Sequence, residues 1–337
     1  MTLSYNLTFA LAIILLSRAP SLAQQVPPQV QQQLPAQQQL TIDSIHSSGK
    51  VIVLTGARFS YQLMEKWIDA YNKVNPEVQI IVESRGSTDP LKFDVLAEVY
   101  PHTEEIKKNR QYISVGRYAI LPVATSNSPF AKLYEEKGLN KERIVNIFFN
   151  DIFNRPERKN SIEVNFTPYT RLQKAGAPSV FAHYFGYEQK DLKGTTIAGA
   201  DAHLLKAVLR DSVGITYLPL PLIYDLETRQ PVKGITVLPV DLNGSGKVND
   251  DEKFYNNLDN VIDKLETTEP SDINNMPIAD LHLSVDKETA TAEAIAFLKW
   301  VQENGDAYLH DAGYLKPDRK ELAKERLNEF ARQRGQF

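Results

Sequence analysis

The chain has 337 residues, 42% of them apolar and 24% charged, with a formal net charge of -4. This is the composition of a globular protein long enough for one large core or two ordinary domains. The mild acidity argues against nucleic acid as a partner, since tracking a phosphate backbone needs a surplus of Lys and Arg. The sequence has no cysteine, which excludes disulfides, thiolate nucleophiles and cysteine-ligated metals.

Taken in chain order, residues 1–23 read as a cleaved export signal. Phe9 to Leu16 is an apolar run, and Ser21 and Ala23 supply the small residues before a cut after Ala23, although "MTLSYN" lacks a basic residue. The expected location is the periplasm, without a lipid anchor because no cysteine stands near the cut. Residues 24–47 begin with "QQVPPQVQQQLPAQQQL", a Gln/Pro-rich leader that cannot build a core.

From residue 50 onward strand and helix patterns alternate. Val51 to Leu54 reads as a strand, followed by a helix in which Met64, Trp67, Ile68 and Tyr71 recur at helical spacing and Ser60 is placed to cap. Trp67 and Tyr71 read as core. "EVQIIVES" (77–84) and "YISVGRYAILPVAT" (112–125) read as strands. "SPFAKLYEEKGLNKERIVNIFFNDIF" (128–153) gives helices broken at "KGLN". "IEVNFTP" (162–168) reads as another strand, and "GAPSVFAHYFG" opens a helix. Residues 199–223 give a helix, a turn at Gly214 and a strand. Residues 289–304 form an amphipathic helix, and "RKELAKERLNEFARQR" a charged one. The alternation predicts a mostly parallel sheet covered on both faces.

Three polar turns precede expected helices: "TGARFS" (55–60), "SRGSTDP" (84–90) and "TRLQKAGAPS" (170–179). The unpaired N–H groups of a helix's first turn attract anions, and glycine lets a ligand approach the backbone. Arg58, Arg85 and Arg171 can each present a planar fork to oxyanion oxygens. Capping and surface ion pairs are the alternative reading of each turn alone.

These segments resemble the phosphate-binding proteins of bacterial ABC uptake systems, which have the type II periplasmic solute-binding fold. "TGARFSYQLMEKWIDAYNKVNPEVQI", "DSVGITYLPL" and "AIAFLKWVQENGDAYLHDAGYLKP" carry the likeness, over roughly residues 50–317. The resemblance implies two α/β lobes with mostly parallel mixed sheets, flanked by helices and closing on a ligand. Lobe 1 would take 48–125 plus 215–337, and an inserted lobe 2 would take 126–214. It implies a ligand set of Thr55, Gly56, Ala57, Arg58, Phe59 and Ser60 on the opening loop. Ser84, Arg85, Gly86, Ser87 and Asp89 would form the second segment, with Asp94 behind, and Arg171, Gly176 and Ala177 would come from the inserted lobe. Asp89 is the candidate acceptor for the proton of hydrogen phosphate. Family members carry Ser-Gly-Thr where this chain has Ala175, Gly176 and Ala177, so two hydroxyls are missing.

"DLNGSGKVNDDE" (241–252) fits a twelve-residue calcium loop, with Asp241, Asn243, Ser245, Lys247, Asn249 and Glu252 at the ligand positions. A strand, not a helix, leads into it, and a polar Gly turn is the alternative reading. No cofactor is required by the sequence; calcium would be structural. The six histidines have no metal spacing, and no nucleophile elbow or P-loop occurs, so no enzyme activity is expected. The implied function is a monomeric, extracytoplasmic protein that captures phosphate or a similar small oxyanion and delivers it to a membrane ABC permease. The rivals are the same fold retuned to another anion or organic ligand, and a structural or adhesion protein outside transport.

Overall fold

The computed structural model describes residues 51–83, 92–99, 108–150, 162 and 164–318. The leader, the predicted signal, the terminal charged helix and the turn at 84–90 lie outside these residues. Strand β1 (Val51–Gly56) is buried along Ile52 to Thr55 and pairs in parallel with β2 (Gln79–Val82) on one side and β3 (Val95–Glu98) on the other. Helix α1 (Tyr61–Val74) covers this sheet because Leu63, Met64, Trp67, Ile68 and Tyr71 fall on one face and are all buried. Each such side chain contributes about 1.5–3 kcal/mol of burial free energy. The Trp67 indole N–H is satisfied inside the core by the Gly305 carbonyl at 3.1 Å.

Strand β4 (Arg110–Thr125) is 16 residues long and belongs to both halves of the molecule. Its first part pairs antiparallel with β9 (Ile278–Asp286), with a register shift between Ser114 and Gly116. Its last part pairs antiparallel with β7 (Gly214–Pro219) and β8 (Ile235–Val237). The second half is completed by β5 (Thr167–Arg171) and β6 (Thr195–Ile197), parallel to each other, with β5 also parallel to β7. The order is β2-β1-β3-β9-β4-β7-β5-β6, with β8 attached to β4.

Four of the eight strand pairings are antiparallel, so the sheets are evenly mixed rather than mostly parallel. Residues 214–219 lie between β4 and β5, and β9 lies between β3 and β4. The strand expected at 162–168 begins at Thr167, where Gly214 and then Thr195 come into register alongside. Val164 and Phe166 pack against the core without joining the ladder.

Helices flank both halves. Helix α2 (Pro129–Lys137) is capped by the Ser128 hydroxyl and ends at Gly138, whose φ of 60° breaks the run as "KGLN" predicts. Helix α3 (Lys141–Phe148) follows, capped by Asn140. Helices α4 (Gly176–Tyr184) and α5 (Asp201–Arg210) precede β7, the short α6 (Leu220–Ile223) follows it, and α7 (Leu258–Thr267) and α8 (Ala292–Asn304) complete the chain's helical layers. The result is a two-lobed α/β fold of mixed sheets flanked by helices.

Candidate functional site

The opening turn is shaped by a close approach of backbone. Gly56 has φ 153°, and a Cβ there would stand 2.0 Å from the Ala97 carbonyl oxygen, so only glycine lets β1 pass β3 at this point. The same carbonyl accepts the Ala57 N–H at 3.0 Å, so that group, expected on the ligand, is committed to the sheet. Thr55 donates to the Glu83 carbonyl at 2.8 Å. Ser60 donates to the Ala57 carbonyl at 2.7 Å and makes no cap to the helix. Phe59 turns inward against Tyr118, with ring centroids 5.0 Å apart, and lies parallel to Tyr314. Its apolar ring gains more from this core than from a polar cleft. Arg58 is exposed and opens a short 3-10 turn (Arg58–Ser60), whose first N–H groups the turn itself cannot pair.

The facing wall comes from the second lobe. β5 ends at Arg171, whose side chain is 11% exposed, and one guanidinium nitrogen donates to Asp201 Oδ1 at 2.8 Å. Asp201 is the first residue of α5 and is itself buried. The Arg171 Nε is buried and has no hydrogen-bond partner among the described residues. An unpaired N–H on a cation so little exposed is costly. Next to it, the Thr170 and Tyr217 hydroxyls bond each other at 2.7 Å. Five residues beyond Arg171, α4 opens with Gly176 and Ala177 behind Ala175, with no side-chain cap.

Electrostatics couple the two walls. Burial pushes the Asp201 carboxyl above its ordinary range, against the charge and hydrogen bond of Arg171 and a weaker pull from Arg58. Arg58 therefore lies within electrostatic reach of the Arg171–Asp201 pair, and the 58–60 turn packs on α5. Burial also raises the Tyr217 hydroxyl, the Asp201 charge adding to the effect. The 58–60 turn and Arg171 thus both lie against α5, the one by packing and the other through Asp201. Ser84, Arg85, Gly86, Ser87 and Asp89 lie outside the described residues. Asp94 is spent on the sheet, its carboxylate accepting the Val53 N–H at 2.7 Å.

Asp201 and Tyr217 are the residues that the sequence reading missed. An aspartate in the first turn of a helix reads as a dipole partner. Nothing in the spacing ties it to an arginine thirty positions earlier. His203, on the same helix, accepts the Ala200 N–H at 3.0 Å and so closes the helix start.

The loop at 241–252 is held by its own amides. Asp241 accepts from Ser245 and Gly246 at 2.9 and 2.7 Å, and Glu252 accepts from Leu242 and Asn249 at 2.7 and 2.9 Å. Asn243 accepts from Ser245 N–H, the Ser245 hydroxyl donates to the Lys247 carbonyl, and the Asn249 amide bonds Ser245. Both carboxylates are buried, and each oxygen has an N–H on it. Among the described residues no group of three or more His, Asp or Glu is gathered to hold a metal. No described helix is long and apolar enough to cross a membrane.

Comparison with solved structures places this architecture. A Clostridium perfringens protein assigned as a phosphate ABC transporter substrate-binding protein, solved with bound phosphate, is 16% identical; the match covers 80% of this chain and 100% of that one, with a TM-score of 0.58. An ABC-type phosphate transport receptor from Vibrio cholerae is 15% identical over 79% of this chain and 100% of its own, with a TM-score of 0.54. The effector-binding domain of a BenM variant is 11% identical over 80% of this chain and 99% of its own, with a TM-score of 0.49. No family model and no curated protein matches the chain. At these identities the likeness defines the fold, that of the type II periplasmic binding proteins.

Proposed function

We propose that the cleft between the lobes captures a small anion that brings a hydrogen-bond donor of its own. The observation that carries this is Arg171: only 11% exposed, held by Asp201 at one nitrogen, with a buried Nε that no described residue accepts from. The guanidinium offers donors to anionic oxygens, while the Asp201 carboxylate accepts from a proton on the ligand. Hydrogen phosphate meets both demands; sulfate has no proton to give. Exported by the predicted signal, such a protein would carry phosphate to an ABC permease as a monomer.

A second reading is the same cleft retuned to an organic anion, and it has more behind it. The wall at Ala175, Gly176 and Ala177 carries no hydroxyl, and the Thr170 hydroxyl is taken by Tyr217. Bare methyl groups favour a ligand with carbon next to its carboxylate over a tetrahedron that needs donors on every side.

Calorimetric titration of protein refolded free of ligand tests both, using phosphate, sulfate and a short dicarboxylate in separate runs. The expected result is saturable heat from phosphate or the dicarboxylate, none from sulfate, and loss of binding in Arg171→Ala. Arg171→Lys, which keeps the charge without the fork, should bind weakly. Silence from all three anions in a folded wild type would overturn the proposal and leave a body that binds nothing.

A further inference from the structure

The chain contains two Asn-Gly pairs, Asn243–Gly244 and Asn304–Gly305. In such a pair the glycine nitrogen can attack the asparagine side-chain carbon, because no side chain on the glycine blocks the approach. The reaction needs that N–H free to lose its proton and a chain free to swing the two groups together. The same dipeptide therefore reacts or rests according to its surroundings.

At the first pair the reacting groups face solvent, although the Asn243 N–H donates to Glu252 at 3.3 Å. Asn243 and Gly244 are exposed, and a Cβ built on Gly244 would meet nothing within 4 Å. The Gly244 N–H has no acceptor among the described residues. The Asn243 Oδ1 accepts the Ser245 N–H at 2.9 Å, which puts a donor on the oxygen that gains negative charge when the ring closes. At the second pair everything is tied. Gly305 N–H donates to the Val301 carbonyl, the Asn304 amide donates to the Trp300 carbonyl at 2.9 Å, and Gly305 is buried with the Trp67 ring 3.2 Å from where its Cβ would be.

We infer that Asn243 is a site of spontaneous deamidation in the folded protein and that Asn304 is protected by the fold. The Gly244 nitrogen gives its proton to hydroxide, forming water, and bonds to Asn243 Cγ; the Cγ–Nδ2 bond breaks as Nδ2 takes a proton from water, so ammonia leaves and hydroxide is restored. Water then opens the five-membered imide at either carbonyl, giving aspartate or isoaspartate, with no change of oxidation state. Either product adds a negative charge beside the buried carboxylates of Asp241 and Glu252. Isoaspartate also adds a backbone carbon and displaces the Ser245 N–H from its two acceptors.

The test follows both asparagines by peptide mass mapping during incubation of the full chain at mildly alkaline pH, once folded and once in urea. In the folded protein Asn243 should convert at least about tenfold faster than Asn304, a difference of about 1.4 kcal/mol in barrier. In urea the two should convert at similar rates. Equal rates in the folded protein, or an unreactive Asn243 there, would overturn the inference. A preference for Asn243 of the same size in urea would also overturn it, because the sequence and not the fold would then set the difference.

Discussion

Asp201 and Asp241 are both nearly sealed from solvent, at 8% and 0% exposure, yet they are satisfied in opposite ways. Asp241 takes its hydrogen bonds from amides within five residues of itself, and Glu252 closes the same ring from the other end. Asp201 takes its partner from another element, and that partner has a buried donor unpaired among the described residues. A local ring completes itself with its own amides. A long-range pair holds two walls in place and leaves chemistry between them. The loop with the more suggestive sequence pattern is thus the more self-contained region of the two.

Breaking the long-range pair should have the largest effect. Arg171→Ala leaves the Asp201 carboxyl buried without its cation and should lower stability by about 3–5 kcal/mol, read from urea unfolding at neutral pH. A loss no greater than that from loop variants would undo the comparison. Next comes Glu252→Ala, which strips the acceptor from Leu242 and Asn249 N–H groups and should lower stability by about 1–3 kcal/mol. Glu252→Gln keeps an acceptor and should lose less. Anion binding by the cleft should survive both loop variants.

The pH dependence of the cleft sharpens the contrast further. The folded-state carboxyl of Asp201 lies above the ordinary value of 3.8, so the native state holds its proton more tightly than the unfolded chain. Its contribution is therefore fully present below the ordinary value and is lost as pH rises through the folded one. Compared with Asp201→Asn, wild-type stability should fall over that acidic window; parallel pH curves for the two proteins would remove Asp201 as the cause. The smallest effect is expected from calcium. Because each carboxylate oxygen of the loop already accepts an amide, millimolar calcium should leave the thermal midpoint unchanged, and a rise would reopen the loop as a cation site.

Much of the framework was legible from the sequence, because helical spacing and glycine positions act locally. The face of α1, the break at Gly138 and the strand after Gly214 are all found as the residues indicate. The site was legible only in part. Arg171 pairs with Asp201 on α5, while Ala57, Ser60 and Phe59 are turned to the sheet and the core, since each finds a nearer partner there. β9 went unread, although "IADLHLSVD" buries Leu281 and Leu283 on one side and Ser284 on the other. Its importance comes from sitting between β3 and β4, a matter of topology that no window of the sequence contains. Asp201 went unread for the same reason.

The placement of β9 also governs how the chain is assembled in time. β3 and the first part of β4 are made early, but the strand that joins them begins at Ile278, after the whole second half has been synthesised. Until then the inner edges of β3 and β4 have no neighbour, a situation that favours mispairing with other chains. Contacts this distant in sequence form slowly. The nascent first lobe is therefore the part of this protein that a holding chaperone would most need to shelter, and release from that protection can come only when the last fifth of the chain arrives.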